Sequence, residues 1–414
     1  MAHRPRRAGN QLLFSYRLLG NGSKAETVEP NRPRQARAIL PYFADAGSLD
    51  TNSLLIVLTE FLMAQKIAKV VLIMGLAVLA FDARVWGAAP GIVVQEFIYD
   101  SDPPTASCHA STIAQTPGGL IAAWFGGTAE GNRDVTIWTA KYREGKWQPP
   151  VRVADGIQAD GSRLPCWNPV LFQYPAGPLQ LFYKVGPNPR NWWGMVIQSE
   201  DEGKSWSSPR RLPDGILGPI KDKPILLSDG TLLCPSSTEN SGWRVHMERT
   251  PDRGKTWSSN GPLNNASDFH LIQPTLLDYG SERLQMLCRS KEKVIVESWS
   301  SDNGRTWGAF SATPLPNPNS GIDAVRLKDG RSVLIYNHTA KGRSPINVAV
   351  SSDGKTWKAS PALETQPGEY SYPAVIQTSD GMIHVTYTWK RQRIRHVVLD
   401  PSRLELSDLP AASH

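Results

Sequence analysis

Residues 300–307 read SSDNGRTW, a polar stretch with a glycine near its centre and a tryptophan at its end. Similar stretches occur three more times, as SEDEGKSW at 199–206, TPDRGKTW at 250–257 and SSDGKTW at 351–357. The final tryptophans of the four copies are spaced 51, 50 and 50 residues apart. A stretch copied with that period indicates a fold built from repeated structural units.

A second marker has nearly the same period. Apolar segments joined by a turn signal, such as ILLSDGTLL at 225–233, are typical of strand–turn–strand hairpins. Six of them centre on glycines: Gly119, Gly177, Gly230, Gly280, Gly330 and Gly381. Six hairpins, each followed by about two more strands, predict an all-β fold, namely a six-bladed β-propeller of four-stranded blades over residues 92–402.

The sixth blade needs an outer strand from elsewhere, because few residues follow RIRHVVLD at 393–400. We expect IVVQEFIYD, at 92–100, to supply that strand and so to close the ring. In each copied turn, which joins a third to a fourth strand, we expect the Asp to accept backbone N–H groups and the Gly to adopt a positive φ. The Trp would then pack between blades. These roles make the copied turn a structural element rather than a ligand site.

Four copies of the pattern S/T-x-D-x-G-x-T-W in register are the Asp boxes of a known family. Over residues 107–399 the chain resembles the sialidase (neuraminidase) superfamily of six-bladed propellers. The resemblance implies a sialidase-like fold and an exo-acting glycoside hydrolase with a glycan as its substrate. One fold hosts many activities, so the function has to be argued from the site.

Charge and composition exclude several other classes. The formal net charge is +7, but residues 1–62 contribute +3 and residues 63–89 contribute +2. The remaining +2 does not indicate a nucleic-acid partner. The sequence has no metal-ligand cluster and no nucleotide-binding loop, so we expect no metal and no cofactor.

The N-terminal region predicts export. From Met63 the chain has two lysines, a twelve-residue apolar run and then small residues, which is the pattern of a signal peptide over 63–89. Translation is then expected to start at Met63, with 1–62 an upstream misread or a disordered extension. The propeller would occupy 90–404 and a tail 405–414. The mature protein would be secreted or periplasmic, without a membrane span; a membrane anchor behind a real extension is the alternative.

The four cysteines allow two interpretations. In an oxidising compartment Cys108 could pair with Cys166 and Cys234 with Cys288, because each pair occupies matching positions in neighbouring repeats. Free buried thiols are the alternative.

Polar residues mark one edge of the predicted blades. The start of a first strand and the end of a second strand lie together, opposite the hairpin turn. Six polar residues precede the first strands: His109, Asn168, Lys223, Gln273, Asp323 and Tyr372. The ends of the second strands add Lys184, Arg289, Asn337, His338, Trp389 and Arg391. We expect them to line the central mouth, with Trp124, Trp167, Trp192 and Trp193 suited to stacking on sugar rings.

The sialidase resemblance implies specific roles. Tyr372 matches the nucleophile, while Arg289 and Arg343 match the second and third substrate-binding arginines. The first arginine of the family falls on His109, and the glutamate that assists the tyrosine falls on Gln273. Either Glu130 or Asp134 would be the acid. Since Gln273 cannot accept a proton, Asp323 and His109 are the stand-in bases.

Three functions remain open from the sequence. The first is an exported hydrolase of a terminal, anionic sugar, in which Arg289, Arg343 and Lys223 hold the acidic group. Sialic acid itself is in doubt there, because the first arginine and the glutamate are replaced. The second is a polysaccharide lyase that acts on uronates. The third is a non-catalytic carbohydrate-binding propeller.

Overall fold

The structure is a computed structural model that describes residues 90–99, 103–265 and 267–411. Six antiparallel sheets, named blades 1 to 6 in chain order, form a β-propeller. The predicted fold class is confirmed. Residues 1–89, with the predicted signal peptide, lie outside the described residues. Among those that are described, no helix is both long and apolar enough to span a bilayer.

Blades 1 to 3 occupy the first half of the propeller. Blade 1 carries one strand more than predicted, since two short strands both pair with its third strand. The strands are β2 (Ser107–Thr116), β3 (Gly119–Gly127), β4 (Thr136–Arg143), β5 (Lys146–Trp147) and β6 (Val151–Ala154) in blade 1; β7 (Cys166–Gln173), β8 (Leu179–Val185), β9 (Trp193–Ser199) and β10 (Arg210–Arg211) in blade 2; and β11 (Ile225–Leu226), β12 (Leu232–Thr238), β13 (Arg244–Thr250) and β14 (Ser258–Asn260) in blade 3.

Blades 4 to 6 complete the ring, and blade 6 takes its outer strand, β1, from the N-terminal side of the propeller. The strands are β15 (Leu271–Asp278), β16 (Leu284–Ser290), β17 (Val294–Ser300) and β18 (Ser311–Pro316) in blade 4; β19 (Asp323–Arg326), β20 (Ser332–Tyr336), β21 (Ile346–Ser351) and β22 (Trp357–Glu364) in blade 5; and β23 (Tyr370–Gln377), β24 (Ile383–Trp389), β25 (Arg393–Leu399) and β1 (Ile92–Phe97) in blade 6.

The copied turns are built as the sequence predicts. In the copy of blade 3, Asp252 Oδ1 accepts the backbone N–H groups of Lys255 and Thr256 at 3.0 and 2.8 Å. These bonds, first that of Thr256, lower the pKa of Asp252. Gly254 has a φ of 90°. The indole of Trp257 packs against Phe182 of blade 2, so the turn fastens one blade to the next.

Closure of the ring also follows the prediction. β1 pairs antiparallel with β25, from Ile92 opposite Leu399 to Phe97 opposite Arg395. Past residue 404 the chain touches blade 5, where Ser407 bridges to Ala359. All four cysteines are buried and free, which is the second of the two interpretations that the sequence allows.

Candidate functional site

The starts of four innermost strands, β2, β7, β15 and β23, contain a bulge next to a predicted site residue. In β7, β15 and β23 the ladder shifts register at this point, and Asn168, Gln273 and Tyr372 adopt φ values of 34°, 53° and 51°. A proline follows each of them. In β2 the corresponding residue is Ala110, at 55°, so His109 lies one residue earlier than the sequence pattern suggests. Bulges next to a site re-aim side chains in this way.

Tyr372 and Gln273 meet across the mouth of the propeller. The Gln273 side-chain amide donates to the Tyr372 hydroxyl at 3.1 Å, and Arg289 Nη1 donates to the same oxygen at 2.9 Å. Arg289 Nη1 also donates to Gln273 Oε1 at 2.9 Å. All three side chains are buried. Blade 4 therefore presents two donors to a phenolic oxygen of blade 6, and both donors stabilise negative charge on that oxygen.

Arg289 is held on its other sides as well. Its Nε donates to Asn319 Oδ1 at 2.8 Å. Its guanidinium lies 5.1 Å from the ring centre of Trp243 and 5.8 Å from that of Tyr372. Asn319 and Trp243 are in loops that the sequence pattern did not single out. Contacts with two aromatic rings and Asn319 fix the orientation of the Arg289 guanidinium, which is what binding of an anion requires.

His109 packs directly on Tyr372, with ring centres 4.1 Å apart. Its Nδ1 lies 3.0 Å from Thr388 Oγ1. Burial lowers the pKa of His109 well below its ordinary value, and the charges of Arg391, Arg343 and Arg289 lower it further. His109 is therefore neutral, and adding a proton to it is costly. The lowered pKa makes His109 a weak proton acceptor, and its ring packs on that of Tyr372.

Two more arginines approach Tyr372 from loops. Arg343 lies 5.8 Å from the Tyr372 ring centre, and its Nη1 donates to Glu369 Oε1 at 3.0 Å. Arg391 Nε donates to that same oxygen at 2.7 Å. Arg391 also forms an ion pair with Glu130. Glu369, which the sequence analysis did not identify, thus bridges two guanidinium groups, and that of Arg343 lies beside Tyr372.

Of the two acid candidates, only Glu130 touches this cluster. Asp134 Oδ2 accepts the backbone N–H of Thr128 at 2.8 Å, and its Oδ1 accepts the hydroxyl of Thr128 at 3.0 Å. Both of its oxygens therefore fasten the ends of its own loop together.

Asp323 and Lys223 form a structural clamp, which revises both predicted roles. Lys223 Nζ donates to the two Asp323 oxygens at 2.9 and 3.0 Å and to the Ala324 carbonyl at 2.7 Å. Asp323 also accepts the Thr275 hydroxyl at 2.7 Å and the Val375 N–H at 2.8 Å. Asp323 is 1% exposed, and its contacts reach blades 3 to 6. To act as a base or to bind an acidic substrate group, Asp323 and Lys223 would first have to give up these contacts.

Lys221, which was also not identified from the sequence, fills the space beneath Tyr372. Its Nζ donates to Asp222 Oδ1 at 2.6 Å and to the carbonyls of Ile322 and Pro373 at 2.6 and 2.7 Å. The ammonium lies 5.9 Å from the Tyr372 ring centre. It adds a further buried positive charge close to the phenol.

Trp124 is a core residue and not a sugar-stacking surface, contrary to the prediction. It is fully buried and packs on Tyr99, with ring centres 5.3 Å apart. All but the first residue of β3 are buried, so the strand has no apolar–polar alternation from which the direction of Trp124 could be predicted. Asn168 is at the predicted edge and is buried, with its carbonyl 3.5 Å from Lys184 Nζ.

Several further edge residues hold the backbone in place. Asn337 donates to the carbonyls of Pro345 and Tyr370 at 2.8 and 3.0 Å. His338 lies 2.9 Å from the Pro410 carbonyl through its Nε2. Within the described part of the chain, no group of three or more His, Cys, Asp or Glu side chains could hold a metal ion.

Comparison with known proteins agrees with this architecture. The BNR repeat-like domain family matches residues 118–385. Anhydrosialidase of Macrobdella decora is 24% identical over 252 residues, which are 52% of this chain and 33% of that protein. The chain therefore spans about a third of the length of the curated relative it matches.

Solved structures show the same fold at low identity. A Hadza microbial sialidase has a TM-score of 0.65 at 17% identity, over 75% of this chain and 69% of that one. A Dyadobacter fermentans protein of unknown function has a TM-score of 0.63 at 18% identity, over 76% of this chain and 100% of that one. A Streptococcus pneumoniae NanB sialidase has a TM-score of 0.62 at 12% identity, over 75% and 71%. These likenesses establish the fold alone.

Proposed function

The chain belongs to the BNR repeat-like domain family and has a sialidase-like propeller, and from this premise we propose that it is a glycoside hydrolase acting on the terminal residue of an anionic glycan. The observation that carries the proposal is the Tyr372 hydroxyl. It is held by Arg289 and Gln273 in a mouth that also contains Arg343 and Arg391.

The charges of the mouth favour an anionic substrate. Arg343 and Arg391 form ion pairs with the carboxylates of Glu369 and Glu130, whereas the hydrogen-bond partners of Arg289 are all uncharged. Arg289 Nη2 has no hydrogen-bond partner among the described residues. A substrate carboxylate could therefore bind Arg289 directly and compete with Glu369 for Arg343. In this proposal Arg289 and Arg343 bind the acidic group without Lys223, which the sequence had assigned to it. Arg391 supplies a third guanidinium, since His109 stands where the family has its first arginine.

The same cations suit a tyrosine nucleophile. A phenol is uncharged before it reacts, so it does not repel an anionic sugar as a carboxylate nucleophile would. Positive charge around Tyr372 stabilises its oxygen as the phenolic proton passes to water and the oxygen bonds to the anomeric carbon, whose bond to the leaving oxygen breaks. The leaving oxygen takes a proton from an acid, and Glu130 is the acid candidate in contact with the cluster.

A substrate panel with Tyr372→Phe tests the proposal. The panel contains fluorogenic sialosides and uronides and several acidic polysaccharides. Each reaction is monitored both by the release of reducing ends and by ultraviolet absorbance. We expect hydrolysis of at least one glycoside by the wild type, and a loss of about 10²- to 10⁴-fold in kcat for Tyr372→Phe. Thermal unfolding checks that the variant is folded.

Other outcomes of the panel identify the alternatives. An unsaturated, ultraviolet-absorbing product would indicate a lyase. Calorimetric binding of an acidic glycan without any product would indicate a carbohydrate-binding propeller. Either result would refute the hydrolase.

Export is a separate part of the proposal, and it is supported only by the sequence of residues 63–89. Expression in a Gram-negative host, cell fractionation and N-terminal sequencing test it. We expect a mature protein that begins near residue 89 or 90 in the periplasm or medium. An uncleaved cytoplasmic product would refute export.

A further inference from the structure

A second cavity, of about 200 Å³, lies between blades 2 and 3. Its charged and aromatic lining consists of Arg190, Trp192, Trp193, Arg211, Asp214 and Glu239, and Arg211 is paired with Asp214 at 3.1 Å. The volume is below the 300–1,000 Å³ of a pocket for a drug-sized ligand. The cavity can hold a group about as large as one sugar ring.

This cavity adjoins the Tyr372 cluster through two sets of contacts. Glu239 Oε2 accepts the indole N–H of Trp243 at 3.1 Å. The Arg289 guanidinium lies 5.1 Å from the centre of that indole ring, which Lys291 Nζ approaches to 4.7 Å. Two residues before Glu239, the Ser237 hydroxyl accepts the N–H of Gln273 at 3.1 Å. The Trp243 side chain would therefore separate a ligand in the cavity from a ligand bound to Arg289.

Aromatic surface and free polar groups occur together in the cavity. Trp192 is half-buried, and its ring contacts Trp167 edge-on, with centres 6.0 Å apart. Trp193 is covered by the guanidinium of Arg211 at 4.9 Å, so Trp192 is the indole that remains for a ligand. Such a surface suits the C–H face of a sugar.

The polar groups suit sugar hydroxyls and an acidic substituent. Arg190 is exposed, and its guanidinium has no hydrogen-bond partner within the described part of the chain. Oε1 of Glu239 has none either. Burial raises the pKa of Glu239, against the opposing charge of Arg289. A desolvated carboxyl of this kind gains from a hydroxyl that restores its lost hydrogen bond.

We propose that this cavity binds the second sugar residue of an acidic oligosaccharide whose terminal residue occupies the Tyr372 site. Trp192 would stack on the ring, Glu239 would accept a hydroxyl, and Arg190 would bind an anionic or hydroxyl oxygen. The inference rests on the proposed function, since it takes the Tyr372 site as the place of the terminal residue. It makes the protein selective for oligosaccharides over simple glycosides.

The experiment compares two substrates that share a terminal sugar, such as 4-methylumbelliferyl sialoside and sialyllactose, or the uronide pair that the panel identifies. Trp192→Ala is expected to lower the ratio of kcat/KM for the oligosaccharide to that for the aryl glycoside by about fivefold to tenfold. Arg190→Met, at an exposed position, is expected to lower the ratio in the same direction. Trp299→Ala removes a partly buried indole from β17 of blade 4 and is expected to leave the ratio unchanged.

Binding separates this inference from the proposed function. If no glycoside is turned over, calorimetric titration of sialyllactose and of free sialic acid into wild type and Trp192→Ala still tests the cavity. A weaker Kd for the trisaccharide alone in the variant would support the second site while the hydrolase fails. The cavity proposal is overturned if both the kcat/KM ratio and the Kd ratio stay within twofold of wild type in the Trp192 and Arg190 variants.

Discussion

Tyr372 is held in a backbone conformation that its own side chain disfavours. A φ near 50° costs a non-glycine residue about 1–2 kcal/mol, and both Tyr372 and Gln273 adopt it. The two residues face each other across the mouth and share Arg289 as a partner. Asn168 and Ala110 have a positive φ in the corresponding bulges of β7 and β2, so the strain belongs to a strand bulge that recurs between blades and that here directs two side chains at the same guanidinium.

At the residue scale, Glu130 and Asp134 can be told apart by the leaving group of the substrate. Glu130→Gln should slow hydrolysis of a sugar leaving group by about 10²-fold or more, because that oxygen needs a proton as its bond breaks. It should slow an activated aryl glycoside much less. Asp134→Asn is the matched carboxylate-to-amide control. It should change kcat for both substrates by the same factor, because it alters only the conformation of the loop. Steady-state kcat on the two substrates is the measurement, and equal losses in Glu130→Gln would exclude it as the acid.

Asp323 gives a second prediction at this scale. Asp323→Asn breaks a buried ion pair and weakens bonds to three blades, so the free energy of unfolding should fall by about 3 kcal/mol. Denaturant unfolding measures this loss. Lys223→Met is the partner variant and leaves the Asp323 carboxylate without its cation. A stable Asp323→Asn with reduced kcat would instead return Asp323 to the catalytic role that the sequence suggests.

At the scale of elements, the turn between β24 and β25 positions a residue of the site. Lys390 and Arg391 have φ values of 51° and 59°, the pattern of a tight hairpin turn that usually contains Asn or Gly. The turn places Arg391 beside Glu369 and Glu130, and the Arg391 carbonyl accepts the N–H of Cys108 at 2.9 Å. A strained turn therefore joins blade 6 to blade 1 and presents a guanidinium to the mouth.

Blade 6 should also be the acid-sensitive blade. Burial, and then His396, lowers the pKa of His384 from 6.5 to about 4, with Asp380 and Glu96 opposing the shift. His384 Nδ1 lies 3.0 Å from His396 Nε2, and His396 Nδ1 lies 3.0 Å from Glu96 Oε1 on the closing strand. Below pH 6.5 the unfolded chain binds a proton that folded His384 takes up only near pH 4.

The stabilising contribution of neutral His384 is therefore complete above pH 6.5 and is lost between pH 6.5 and 4. It amounts to ~3 kcal/mol at most. Denaturant midpoints measured across this range for wild type and His384→Gln isolate the contribution of this residue, because other titrating groups remain in both proteins. We expect the wild-type midpoint to fall more steeply than that of His384→Gln between pH 6.5 and 4. Parallel profiles would show that His384 titrates normally in the folded state.

At the scale of the whole molecule, periodicity made the architecture predictable and left the roles of buried polar residues open. The Trp and Gly markers repeat in every blade or nearly so, and local hydrogen bonds such as those of Asp252 suffice to fix each turn. Asp323 and Tyr372 look alike in the sequence, since each is a polar residue before a first strand. Their roles differ because of contacts between non-neighbouring blades: Asp323 pairs with Lys223, whereas the Tyr372 hydroxyl binds Arg289. Glu369 belongs to a loop and to no repeat, so no periodic signal could identify it.

Ring closure by β1 gives the last prediction. A chain of residues 100–414 lacks β1 and also Ile98 and Tyr99, which are 2% and 7% exposed. Relative to residues 90–414 it should lose about 5 kcal/mol in free energy of unfolding, since each buried large side chain contributes roughly 1.5–3 kcal/mol and blade 6 is left with an open edge. Residues 90–404 are the matched control, because the described part of the tail that they lack contains no strand and contributes local contacts such as the Ser407–Ala359 bridge, the Lys358–Asp408 ion pair and the contact of His338 with Pro410. Denaturant unfolding should show a small loss for that chain. Equal losses in the two truncated chains would mean that β1 does not hold the propeller together.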